Sequence, residues 1–166
     1  EGFSAKGDIR LLGARVKGMV VFNGAKLEGA LRADGLVVDG DLFCRDGFST
    51  KGDIRLLGAH VVGNAELDGA ELEGALFADG LAVDGDLFCR EGFSAKGDIR
   101  LLGARVKGAV DFSRAKLEGL LSADGLAVDG GCFLRDMEKL SAADLLGAHT
   151  GGDLQLSRSA IEGRVN

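Results

Sequence analysis

The sequence predicts an all-β protein, a single-stranded β-solenoid forming one domain over residues 1–166, with coils of about 22 residues. Three observations predict it. Residues 2–14 read GFSAKGDIRLLGA, residues 47–59 read GFSTKGDIRLLGA and residues 92–104 read GFSAKGDIRLLGA, so a long repeat returns every 45 residues. Within it a glycine recurs at Gly18, Gly29, Gly40 and Gly52 and onward to Gly130, in steps of 11, 11 and 12 that then repeat as 11, 11, 11, 12. Between the glycines, apolar and polar residues alternate strictly, which is the period-two signature of a strand with one buried face.

The first full unit sets Ala14, Val16, Gly18, Val20 and Phe22 against Arg15, Lys17, Met19 and Val21. The next sets Ala25, Leu27, Gly29, Leu31 and Ala33 against Lys26, Glu28, Ala30 and Arg32. The third sets Leu36, Val38, Gly40, Leu42 and Cys44 against Val37, Asp39, Asp41 and Phe43. Two-residue breaks such as Asn23-Gly24 and Asp34-Gly35 separate the units, and the longer breaks Arg45-Asp46-Gly47 and Arg90-Glu91-Gly92 supply the twelfth residue. Asn-Gly and Asp-Gly also suit a meander of hairpins. The mid-unit glycine decides against a meander, because glycine weakens a flat strand and marks a bend or a close approach. A solenoid needs a corner there, or a slot that admits a side chain from the opposite wall.

Composition agrees. Apolar residues make up 46% of the chain, too many for a disordered segment. Gly is 28 and Pro 0, so the glycines are not those of collagen. No run approaches the ~18 apolar residues that a membrane helix needs.

The triplets Ala14-Arg15-Val16, Gly18-Met19-Val20, Ala25-Lys26-Leu27 and Gly29-Ala30-Leu31 pair a small with a large inward residue. They resemble the core of the pentapeptide-repeat family of bacterial β-solenoid proteins, whose inward residues build a right-handed quadrilateral β-helix. The resemblance covers nearly the whole chain. The spacing departs from the family: large residues step 4 and 7 in turn, giving an 11-residue half-coil inside a 45-residue repeat. The resemblance implies a scaffold or a protein-binding module. It also implies an alternative, because some members are similar to the DNA duplex in shape and charge and occupy topoisomerases.

The outward residues form columns. Glu28, Lys51, Glu73, Lys96 and Glu118 alternate in sign along one wall, which favours in-register stacking. Arg10, Arg32, Arg55, Phe77 and Arg100 form a second column beside Asp8, Asp53 and Asp98. The opposite wall is more acidic. Asp39, Asp41, Asp84, Asp86 and Asp129, with the outward Phe43, Phe88 and Phe133, make the candidate partner-binding strip, since exposed apolar stripes mark contact surfaces. The expected partner is another protein or a second copy of the chain. Direct nucleic-acid binding is disfavoured by the net charge of −6 and by the lack of Tyr and Trp.

Enzymatic readings are weaker. Asp39-Gly40-Asp41 could serve as the paired carboxylates of a β-helical polysaccharide-acting enzyme, but the pair recurs at Asp84 and Asp86, which suits structure or multivalent binding better. No zinc spacing and no calcium-loop pattern is present in the sequence. No catalytic residue, metal site or cofactor is assigned. His60 takes the slot of Arg15 and Arg105 and reads as a surface residue. Cys44, Cys89 and Cys132 fall at inward positions and read as buried, reduced residues, which favours a cytoplasmic setting. Near residues 135–146 the pattern loses its glycines, and an irregular or short helical excursion is expected. No polar cap is visible at either end, so the sequence reads as a piece of a longer repeat protein or as a unit that stacks end to end.

Overall fold

The computed structural model describes residues 2–166. Among these the chain forms no helix, and it winds through about seven turns of roughly 22 residues as a parallel β-solenoid. Each of the first five coils contributes four strands of two residues, and in the sixth and seventh a single longer strand, Lys116–Ser122 or Lys139–Asp144, takes the place of the first two. One coil is Lys26–Leu27, Leu31–Arg32, Val37–Val38 and Leu42–Phe43. The next is Ser49–Thr50, Ile54–Arg55, His60–Val61 and Ala65–Glu66. Strands stack in parallel on their equivalents, giving four walls, numbered here in the order in which the chain meets them. Ser4 lies against Lys26, Lys26 against Ser49 and Ser49 against Glu71. Coils of 22 and 23 residues therefore alternate, and two of them make the 45-residue repeat.

Each 11-residue unit folds at its central glycine into two walls, so the glycine is a corner. Coils approach closely there. A Cβ on Gly74 would lie 2.6 Å from the backbone carbonyl of Gly52, where no side chain fits. The corner between the third and fourth walls goes further: the N–H of Gly40 donates to the Gly18 carbonyl, Gly63 to Gly40, Gly85 to Gly63 and Gly108 to Gly85, at 2.9–3.1 Å. The other two corners are tight turns. The Ala59 N–H donates to the Leu56 carbonyl at 3.1 Å, and the third turn residue, Gly58, has φ 61°. That left-handed position favours glycine.

The core explains why the repeat is two coils long. At the corner between the second and third walls, each coil places one leucine and one alanine across the turn, and their order flips from coil to coil. The pairs are Ala33/Leu36, Leu56/Ala59, Ala78/Leu81, Leu101/Ala104 and Ala123/Leu126, all buried. The corner between the fourth and first walls does the same with larger groups: Phe22/Ala25, Cys44/Phe48, Leu67/Ala70, Cys89/Phe93 and Phe112/Ala115. A large residue thus stacks on a small one along both corners, as close packing requires. The twelfth residue belongs to this scheme. The Arg45-Asp46-Gly47 turn, with φ 55° at Asp46 and 85° at Gly47, brings Phe48 inward beside the small Cys44.

Residues 135–146, one residue fewer than the equivalent 45–57 and 90–102, stay within the coil stack. They form no helix, and Lys139–Asp144 is a six-residue strand laid on the seven-residue strand Lys116–Ser122. The missing residue is absorbed as a register shift between Leu117 and Leu120. The irregularity is thus a bulge inside the coil stack, with Met137, Leu140 and Ala143 still buried.

Cys44, Cys89 and Cys132 are buried and unpaired. Burial pushes the Cys44 thiol up to about 12 and the Cys132 thiol up to about 11.

The corner geometry makes a paired prediction. Gly74→Ala sets a methyl against backbone and should destabilise by about 1–3 kcal/mol, as overpacking does. Gly18→Ala, with nothing within 4 Å of the added carbon and no left-handed φ, should change stability by less than about 0.5 kcal/mol. Urea unfolding of the two variants measures both; equal effects would contradict the close-approach account.

Candidate functional site

The candidate strip straddles the glycine corner between the third and fourth walls. Asp39, Asp84 and Asp129 follow the third-wall strands Val37–Val38, Ala82–Val83 and Ala127–Val128. Asp41 and Asp86 follow the corner glycine, and Phe43, Phe88 and Phe133 point outward from the fourth wall.

Asp41 and Asp86 are engaged with backbone. Asp41 Oδ1 accepts the Asn64 N–H at 2.8 Å, Asn64 Oδ1 accepts the Asp86 N–H at 2.9 Å, and Asp86 Oδ1 accepts the Ala109 N–H at 2.7 Å. Each side chain caps the corner amide of the following coil, which the bent backbone leaves without a ladder partner. The same device holds the corner between the first and second walls: Asp8, Asp53 and Asp98 accept the N–H groups of Ala30, Ala75 and Leu120 at 2.8–2.9 Å. At the turns, Asp68 accepts the Arg90 N–H at 2.8 Å and Asp34 accepts the Leu57 N–H at 3.1 Å.

Asp84 bridges two side chains of the third wall, with Lys107 Nζ at 2.9 Å and His60 Nε2 at 3.2 Å. The hydrogen bond from Lys107 first, and then that from His60, holds its carboxyl below the usual range. Asp39 and Asp129 are exposed and make no ion pair among the described residues.

The three phenylalanines share a column but do not touch. Glu66 stands between Phe43 and Phe88, and Asp111 between Phe88 and Phe133. Each ring is half-buried under an arginine two residues on. Arg45, Arg90 and Arg135 sit 4.4, 3.7 and 4.5 Å from the Phe43, Phe88 and Phe133 ring centroids, within cation–π range. Each arginine also meets an acid of a neighbouring coil: Arg45 with Glu66, Arg90 with Asp68 at 2.8 Å and Arg135 with Asp111 at 3.5 Å. The expected open apolar stripe is therefore a set of Arg-covered rings separated by carboxylates.

The sequence did not disclose the capping role of the acids, although it carried a signal. Asn64 occupies the slot of Asp41 and Asp86, so what this corner position needs is an acceptor oxygen. Among the described residues, no group of three or more His, Cys, Asp or Glu side chains is arranged to hold a metal ion, and no helix is long and apolar enough to cross a membrane. The first wall carries two shallow hollows of about 240 and 180 Å³ that flank Ser49 and Ser94, and a wider one of about 440 Å³ lies among Ser113, Arg114, Arg135, Asp136 and Arg158. Comparison with protein-family models, with curated proteins and with solved structures finds no match.

Two measurements check this assignment. Asp86→Ala removes the acceptor of the Ala109 amide and should cost about 1 kcal/mol in urea unfolding, while Asp86→Asn should cost little. A charge-dependent role would instead make the asparagine variant as weak as the alanine one. For Asp84 the folded carboxyl is depressed. Its stabilisation is complete above the ordinary aspartate value near 3.8 and is lost as pH falls through the lower folded value. Thermal melts between pH 6 and pH 2 should show a shallower acid decline for Asp84→Asn than for the parent; identical slopes would remove Asp84 from the acid response.

Proposed function

We propose that the chain is a non-enzymatic structural scaffold or protein-binding solenoid. The observation that carries this reading is the engagement of Asp41, Asp84 and Asp86 within the coil stack, which leaves Asp39 and Asp129 as the free acids of the strip among the described residues. Asp41 and Asp86 hold corner amides, and the Phe43, Phe88 and Phe133 rings are covered by paired arginines. A sugar-cleaving pair would need Asp39 and Asp41 to act together, and Asp41 is engaged with the Asn64 amide.

Association through coil faces has its own support. Ile9, Leu11 and Val16 of the first coil are partly buried, while the equivalent Ile99, Leu101 and Val106 are each 1% exposed beneath further coils. A coil laid on that face, from the same chain or from another copy, would bury them in turn. The three unpaired thiols support a reducing compartment such as the cytoplasm.

Light scattering over a concentration series tests the reading, with gyrase supercoiling and polysaccharide depolymerisation assayed on the same material. Mass that rises with concentration while neither reaction changes is expected. Depolymerisation that disappears in Asp41→Asn, or inhibited supercoiling, would replace the scaffold reading with one of the alternatives.

A further inference from the structure

The first wall carries two outward columns over its first six coils. One reads Lys6, Glu28, Lys51, Glu73, Lys96, Glu118 and the other Ser4, Lys26, Ser49, Glu71, Ser94, Lys116. On neighbouring walls many charges find partners: Arg32 with Asp8, Arg55 with Asp34 and Arg100 with Asp79, at 2.6–2.9 Å. On the first wall Lys116 and Glu118 pair with each other at 2.9 Å, while Glu28, Lys51, Glu73 and Lys96 are exposed and make no ion pair among the described residues. Between the long side chains of the second column, the short Ser49 and Ser94 leave the two hollows.

From this pattern we infer that the first wall is the contact face of an antiparallel dimer of the chain. The two-fold axis lies in the contact plane, parallel to the strands. Such an axis keeps each column over itself and reverses the order of the coils. The first coil then faces the sixth, the second the fifth and the third the fourth. Because the signs alternate over an even number of coils, every charge of the first column meets its opposite: Lys6 over Glu118, Glu28 over Lys96 and Lys51 over Glu73. In the second column every serine meets a long side chain: Ser4 with Lys116, Lys26 with Ser94 and Ser49 with Glu71. The hollows are the spaces that the partner's Glu71 and Lys26 fill.

A parallel arrangement matches the same columns less well. An axis along the rod would lay one column over the other within each coil and place Glu71 over Glu73. The columns run from Lys6 to the register shift between Leu117 and Leu120, and these six coils are the ones that pair.

The face is one strand wide and about 24 Å long from Lys6 to Glu118 at ~4.8 Å per coil. It is small for a stable complex and rich in charge. The dimer is therefore weak and depends on ionic strength, as the Debye length falls from ~10 Å at 0.1 M salt to ~3 Å at 1 M. This inference deepens the reading of a self-associating module by naming the face and the partner.

Sedimentation equilibrium and carbodiimide cross-linking of the whole chain test it together. At low salt a monomer–dimer equilibrium is expected, moving to monomer in 1 M NaCl. Lys51→Glu sets a second carboxylate against Glu73 at both symmetry-related contacts of the dimer and should weaken association at least about tenfold. Adding Glu73→Lys restores both contacts and should restore the dimer. Far-ultraviolet circular dichroism and melting confirm that these exposed variants fold. Peptide mapping should find Lys6 joined to Glu118; five coils separate them within one chain, so the link forms only between chains. An assembly that lacks this link and ignores the Lys51→Glu change would overturn the first-wall dimer and leave self-association through coil faces standing. A monomer at every salt and concentration would overturn both.

Discussion

Everything in this fold hangs on how closely successive coils approach at two of their four corners. The backbone of Gly74 passes so near that of Gly52 that even a methyl group cannot enter. At the corner between the third and fourth walls, the glycines donate to one another from coil to coil. This contact fixes the height of each step and keeps the short strands on either side in parallel register. A strand of two residues has few ladder bonds of its own, so it survives through its stacked neighbours. The corner is what keeps those neighbours in place.

The second constraint is volume. If coils stacked on identical copies, large groups would collide along the turn corners and small ones would leave gaps. The chain answers by flipping leucine with alanine, and phenylalanine with alanine or cysteine, at each successive coil. That alternation makes the repeat unit two coils rather than one. It also gives the inserted twelfth residue a physical purpose, because the longer turn carries Phe48 and Phe93 into the space left by Cys44 and Cys89. The cysteines read best as the small members of these pairs, and burial keeps their thiols protonated.

The architecture was legible because it is periodic. Val16, Gly18 and Val20, repeated at each half-coil, announce an inward face with a corner in the middle, and the strands fall there. The corner acids were less legible. An aspartate that caps an amide and one that awaits a partner look the same in a sequence; only the position of the Asn64 and Ala109 amides separates them. The phenylalanine column misled for a related reason. Its 45-residue period identifies Phe43, Phe88 and Phe133 as equivalent but hides Glu66 and Asp111, which the intervening coils place between them. The loss of glycines after Arg135 looked like a break in the coil. A register shift that sets Glu118 and Gly119 against the single Ser141 lets the chain continue with one residue fewer. The contact face proposed for the first wall is written less plainly, in columns of alternating charge that line up only once the walls are built.

Native-state hydrogen exchange, read amide by amide, tests the corner contact most directly. If coils are held by the glycine ladder, the N–H groups of Gly40, Gly63, Gly85 and Gly108 are protected as strongly as those of the adjoining walls and open only with the coil stack. If these amides exchange as fast as an open loop while the walls stay protected, the corners are ordinary turns, and the coil spacing must be set by something else.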